Sequence, residues 1–182
     1  MTTALLEGFP PVVDDSARLL ILGSFPSVQS LAACQYYANP RNAFWPITAE
    51  LFGFDANAAY QTRLAALRSH GIALWDVLHK CRRVGSADAK IESKSMVAND
   101  FGQFFTVYPG ISRVYFNGQT AATLFRRLTH VDLPLSYRLL PSTSPARAMR
   151  PGEKTGRLAG DRAVTTLAGT GAPTVVRPRF GR

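Results

Sequence analysis

Four short, mainly apolar runs, each stopped by a turn residue and each followed by a stretch with helical spacing, leave this chain few ways to fold. Leu19-Leu20-Ile21-Leu22 breaks at Gly23, and Ile72-Ala73-Leu74-Trp75 stops at Asp76. Arg113–Phe116 stops at Asn117-Gly118, and Tyr137–Leu140 runs into Pro141-Ser142-Thr143-Ser144-Pro145. The first two are uninterrupted by polar residues, the pattern of strands covered on both faces. Strands of that kind joined by helical crossovers pair in parallel with right-handed connections. The expected fold is therefore α/β, a three-layer α/β/α sandwich around a four-stranded parallel sheet.

The connecting segments fit. Ala43–Phe52 reads as a helix capped by Asn42, with Phe44, Ile47 and Leu51 on one face and Gly53 as its stop. Tyr60–His70 reads as a second, with Leu64 and Leu67 inward, Arg63 and Arg68 outward, and Gly71 ending it. Asn99 or Asp100 caps a third that reaches about Val107, before Pro109-Gly110. Gln119–Leu128 is a fourth, with Ala122, Phe125 and Leu128 inward. Residues 1–16 read as an irregular lead-in over one edge of the sheet, and Lys80–Lys94 as a polar loop.

Parallel pairing has a consequence for function. It brings the four strand ends, Gly23–Ser27, Asp76, Asn117-Gly118 and Pro141–Ser144, to one carboxyl edge, where open α/β sheets bind ligands. Asp76 is a charge placed where an apolar strand stops; it suits either a ligand contact or the cap of the following turn.

Composition narrows the partners. The length of 182 residues suits one domain, and 46% hydrophobic with 10% aromatic residues describes a folded chain. No apolar run approaches the roughly eighteen residues of a membrane span, and the N-terminus lacks a basic region followed by an apolar core, so a cytoplasmic protein with no membrane partner is expected. Two cysteines, Cys34 and Cys81, and three histidines cannot build a four-thiolate cluster, so neither a metal nor another cofactor is expected. The net charge of +9 is unevenly spread: residues 1–60 carry −3, residues 61–120 +4, and residues 121–182 +8. A positive second half fits a polyanion such as nucleic acid.

The spelling of two segments goes further. Gly23-Ser24-Phe25-Pro26-Ser27, followed by Tyr36-Tyr37-Ala38-Asn39-Pro40-Arg41-Asn42-Ala43-Phe44-Trp45, resembles the first motif region of the uracil-DNA glycosylase superfamily. Within it the likeness is to the hypoxanthine (deoxyinosine) DNA glycosylases, and the Pro-x-Asn-x-Phe-Trp end also looks like the mismatch-specific uracil/thymine enzymes. Leu140-Pro141-Ser142-Thr143-Ser144-Pro145-Ala146 is similar to the superfamily's second motif, a Pro-Ser turn that grips DNA. The resemblance covers about Ala17–Ala146.

What it implies is base excision without a cofactor: a monomeric enzyme of the nucleoid that flips a deaminated base, most simply hypoxanthine, out of double-stranded DNA and hydrolyses its N-glycosidic bond. Uracil-specific relatives carry an Asp or Asn in the first turn to position water. This turn has none, as in the hypoxanthine branch, so the resemblance assigns that catalytic role to Asn39, with Asn42 as runner-up. Gly23, Ser24, Phe25, Tyr37 and Asp76 are the implied base-binding residues, Tyr37 by stacking; Phe44 and Trp45 are read as core anchors. Ser27, Ser142, Thr143, Ser144 and Arg147 are the implied DNA contacts. The histidine that stabilises the leaving base in uracil enzymes has no counterpart in this second motif.

Three alternatives remain at this level: a uracil or mismatch-specific glycosylase, a non-catalytic damaged-DNA-binding module on the same scaffold, and an unrelated α/β hydrolase using Ser24 or Ser27. The last lacks a G-x-S-x-G elbow. The domain is expected to span residues 1–158, with 159–182 a basic, flexible tail; no Trp follows Trp75, so the Lys- and Trp-containing helix of relatives has no match there.

Overall fold

The computed structural model describes residues 3–145. At its centre β2 (Leu19–Gly23) lies between β3 (Ile72–Asp76) and β6 (Arg113–Asn117), and β7 (Ser136–Leu140) closes the order β3-β2-β6-β7, every pair parallel. Every residue of β2 and β3 is buried, as their apolar runs demand. The register pairs Gly23 with Asp76, Leu22 with Phe116 and Asn117 with Leu140, so the strand ends finish together.

Side chains in one register row point to one face. Leu22, Trp75 and Phe116 share a face covered by α4 (Phe101–Val107) and α5 (Gln119–Leu128), through Phe101, Phe104 and Phe125. Ile21, Tyr115 and Leu140 point the other way and meet Phe44 and Ile47 of α2 (Phe44–Phe52) along an apolar crevice. α3 (Tyr60–Ser69) follows α2 and buries Leu64 and Leu67. The three-layer architecture and the four-stranded parallel sheet match the sequence expectation. No helix among the described residues is long and apolar enough to cross a membrane.

Three elements depart from the sequence reading. Val28–Ala33 forms a short helix, α1, capped by Ser27, whose Oγ accepts the Ser30 N–H at 3.1 Å. The lead-in is not wholly irregular: β1 (Leu5–Glu7) pairs antiparallel with β4 (Leu78–Arg82), and β4 in turn pairs with β5 (Val97–Ala98). The segment read as a polar loop from Lys80 therefore begins inside a strand. Val12 does bridge Leu74 at the edge of the main sheet, where the lead-in was expected. The proposed boundary at residue 158 and the tail beyond it lie outside the described residues.

Candidate active site

The carboxyl edge of the sheet opens into a cleft of about 110 Å³, lined by the Gly23–Ser27 turn, Ser30, Tyr36, Tyr37, Asn42, Asp76, Ser86, Asp88, Asn117 and Ser142–Ser144. Three of the four strand ends contribute through one register row. Gly23, Asp76 and Asn117 all point to the face that carries α2, because each closes its strand at an equivalent position.

Gly23 makes room for Asp76. A Cβ on Gly23 would stand 2.3 Å from Asp76 Oδ1 and 3.4 Å from the Tyr37 hydroxyl. The Asp76 side chain thus lies across its neighbour's bare backbone, and only glycine fits beneath it. Asp76 is buried and its Oδ2 has no hydrogen-bond partner. Burial, reinforced by the nearby Asp88 charge and opposed by Arg83, pushes its carboxyl up to about 7. The cap alternative fails on geometry: it is the Asp76 carbonyl, not the side chain, that accepts a bond, from Asn99 Nδ2 at 2.8 Å.

Tyr37 lines the cleft beside Asp76. Its ring stacks on Phe44 with centroids 3.8 Å apart and planes 16° apart. Its backbone sits at φ +55°, a left-handed conformation that a bulky residue occupies only where the surroundings over-determine it. They do so through its neighbours. Tyr36 donates its hydroxyl to Pro10 O and its N–H to the Tyr60 hydroxyl, and its carbonyl accepts from the Trp45 indole. Ala38 N–H donates to Ser30 Oγ. The Tyr37 hydroxyl is buried and approaches Asn117 without completing a hydrogen bond; burial and Asp76 both hold it in the phenol form.

The second motif is tied to the first by Thr143. Asn117 Nδ2 donates to Thr143 Oγ1 at 2.8 Å, the Thr143 N–H donates back to Asn117 Oδ1 at 2.9 Å, and the Ala43 N–H donates to the Thr143 carbonyl. Thr143 is 5% exposed, and its hydroxyl oxygen, by accepting from Asn117, staples the second motif turn to the end of β6. Ser142 and Ser144 stay partly open on the rim, with Ser144 N–H on Ser142 Oγ at 3.2 Å. Gly118, at φ +104°, allows Ser142 to pass within 2.9 Å of where its Cβ would be.

Not every implied site residue reaches the cleft. Asn39 lies outside its lining, and its Oδ1 accepts the Arg41 N–H at 2.9 Å in a local turn. Asn42 does line the cleft while its Oδ1 accepts the Phe44 N–H, capping α2 as its position predicts. Arg147 lies outside the described residues. Conversely, four contributors escaped the sequence reading. Asn117 was visible as a strand end without a role. Ser86 and Asp88 enter from the segment read as a polar loop, where nothing in the spelling assigns them to this cleft. Arg83, in the same segment, is buried beneath the first turn: it donates to Pro26 O and Gly85 O, lies over the Phe25 ring at 5.2 Å, and faces Asp88 Oδ1 at 3.8 Å. Phe25 is consequently buried, one edge on the cleft and one face on a guanidinium.

Known proteins place this constellation. The family model for the uracil DNA glycosylase superfamily matches residues 10–167. A hypoxanthine DNA glycosylase of Methanosarcina barkeri is 40% identical over 114 residues, spanning 62% of this chain and 71% of that protein. A hypoxanthine DNA glycosylase of Methanosarcina acetivorans is 36% identical over 141 residues, 77% of this chain and 87% of its own length. A solution NMR structure from Methanosarcina acetivorans, described as a candidate uracil DNA glycosylase, superposes with a TM-score of 0.72 at 33% identity, covering 89% of this chain and 99% of that one. The match runs through both motif turns and the sheet that aligns them, and the chain belongs to the uracil DNA glycosylase superfamily.

Proposed function

We propose that this protein is a monofunctional DNA glycosylase that removes hypoxanthine from deoxyinosine-containing duplex DNA, acting as a monomer in the nucleoid. The observation that carries the choice of base is Asp76: a buried carboxyl whose Oδ2 lacks a partner, in the cleft lining beside Tyr37. As the anion, the form that prevails above its raised value of about 7, the carboxylate only accepts hydrogen bonds, so it suits the N1–H of hypoxanthine and rejects adenine, which presents a lone pair at N1. The relatives that are named for hypoxanthine support the same base. The described lining of the cleft comes from one chain, which supports action as a monomer.

In this reading the flipped base enters between Tyr37 and the Gly23–Phe25 turn, with its N1–H on Asp76. Ser24 and Phe25 shape the wall. Ser142 and Ser144 on the rim donate to backbone phosphate, Ser27 adds its turn, and Thr143 holds that rim in register. The bond to the sugar breaks toward an oxocarbenium-like state, and the chain contributes by positioning and by fixed dipoles. Asn39 orients the attacking water, a role that requires its turn to move toward the cleft when DNA binds, since it stands outside the lining here. Its amide oxygen accepts the Arg41 N–H and keeps a second lone pair for the O–H of that water. Duplexes carrying deoxyinosine, deoxyuridine or mispairs, incubated with the protein and then cleaved at abasic sites by alkali, test the proposal. Strand breaks at deoxyinosine above all others are expected; breaks at deoxyuridine alone, or none, would refute it.

A further inference from the structure

The first turn lacks the acidic residue that hydrolysis of a glycosidic bond calls for, and the fold supplies one from elsewhere. Ser24 Oγ donates to Asp88 Oδ2 at 2.8 Å across 64 residues of sequence, which puts a carboxylate on the motif turn itself. Asp88 lines the same cleft as Asp76 and Tyr37 but keeps 31% of its side chain exposed, whereas Asp76 is buried. It therefore stands toward the mouth, where the sugar of a flipped nucleotide follows its base. Its Oδ1 faces Arg83 at 3.8 Å, too far for a hydrogen bond, and so keeps lone pairs for a further donor.

We infer that Asp88 is the proton-accepting carboxylate of excision, standing beside the sugar and stabilising its developing positive charge. The inference rests on the glycosylase reading above. An amide such as Asn39 can orient water but cannot take its proton. In the step, the C1′–N9 bond breaks and its electron pair leaves with the purine, which is then protonated by solvent. A water oxygen forms the new bond to C1′, its proton passes to the Asp88 carboxylate, and Asp88 returns that proton to solvent. Hypoxanthine and an abasic site are the products. Burial raises the Asp88 carboxyl above the usual carboxylate range and so lifts its basicity, while the Ser24 and Thr120 hydroxyls and the Arg83 charge favour its anion. The two carboxyls then divide the work, the deep one reading the base and the outer one serving the sugar.

Asp88→Asn keeps the shape and can still accept from Ser24, so it removes charge and basicity alone. Single-turnover excision from a deoxyinosine duplex should fall about 10²-fold or more, the scale of losing one preorganised electrostatic group. A binding measurement separates this from a structural role. The wild type should prefer a duplex carrying a cationic pyrrolidine in place of the sugar over one carrying neutral tetrahydrofuran by about tenfold, the effect of one modest ion pair. Asp88→Asn should lose that preference while binding tetrahydrofuran DNA as the wild type does. A preference that survives in Asp88→Asn, or excision within about threefold of wild type, would overturn the assignment. Inactivity of the wild type on deoxyinosine would instead strike the proposed substrate.

Discussion

Gly23 and Asp76 are direct partners in the parallel sheet, and the carboxylate of one occupies the space where the other would carry a side chain. The relationship makes a glycine in the motif turn a condition for an acid at the end of the next strand. Gly23→Ala would bring its methyl 2.3 Å from Asp76 Oδ1, a contact that Asp76 can relieve only by swinging off the cleft. Stability should drop by about 1–3 kcal/mol, as for other overpacked sites. Excision should drop as well, even when normalised to folded protein. Thermal melts alongside single-turnover rates check this.

Asp76 should make stability depend on pH. Its carboxyl is raised in the folded state to about 7, above the unfolded value near 4. The folded protein thus holds a proton that the unfolded chain has released, so Asp76 supports stability at low pH and loses that support as pH rises through about 7. Asp76→Asn removes the titration. Relative to wild type it should gain a few kcal/mol as pH is raised from about 5 to about 8. Its preference for hypoxanthine over adenine should shrink, because an amide offers both a donor and an acceptor. Denaturant unfolding across that range, with excision on both bases, gives the answer.

Tyr37 invites a pair of substitutions. The ring has a fixed stack on Phe44, while its hydroxyl closes no hydrogen bond. Tyr37→Phe should leave excision nearly unchanged and cost no stability. Tyr37→Ala should lower catalytic efficiency roughly five- to a hundredfold, since base–aromatic stacking is worth about 1–3 kcal/mol. Equal damage from both would assign the function to the hydroxyl.

The Asn117–Thr143 pair should couple the two motif turns. Asn117→Ala and Thr143→Ala should each cost about 1–3 kcal/mol, because either leaves buried polar groups unpaired. The double variant should cost less than the two together by at least about 0.5 kcal/mol. Additive losses would mean that the bidentate contact adds nothing beyond its parts.

Asn39 separates catalysis from turn geometry. If its amide orients water, Asn39→Ala should slow single-turnover excision by about 10²-fold and leave binding to abasic DNA unchanged. If it only shapes the turn before Pro40, the melting temperature falls and the rate of the folded fraction holds. The first outcome is expected.

The central sheet was legible because strands buried on both faces leave uninterrupted apolar runs, and because Gly23, Asp76 and Asn117 punctuate them. Helices α2 to α5 announced themselves by spacing and by Gly53, Gly71 and Asp100. The small sheet did not: β4 interleaves His79 and Lys80 with Leu78 and Cys81, and β5 is two residues long, too short for any period. Nor did α1, whose six residues are held by a Ser27 cap rather than by an apolar face. At the site, residues attached to strand ends could be placed from sequence, since parallel pairing alone gathers them. Asp88 and Ser86 could not, because they reach the cleft only through contacts with Ser24 and the Val28 N–H, more than fifty residues away. Thr143 shows the reverse limit: a motif residue that reads as a DNA contact also ties its turn to Asn117, a link the spelling does not reveal.

In the proposed function a carboxylate of this cleft, Asp76, reads the N1–H of a flipped hypoxanthine. Single-turnover excision from otherwise identical duplexes carrying deoxyinosine, N1-methyl-deoxyinosine or deoxyadenosine tests it most directly. The methyl group removes the N–H and also weakens pairing, so flipping alone would make that base easier to remove. Rapid loss of hypoxanthine is expected, with a rate at least about 10²-fold lower for the N1-methyl base, the scale set by losing one buried hydrogen bond to a charge, and no loss of adenine. Equal or faster excision of the N1-methyl base would contradict it.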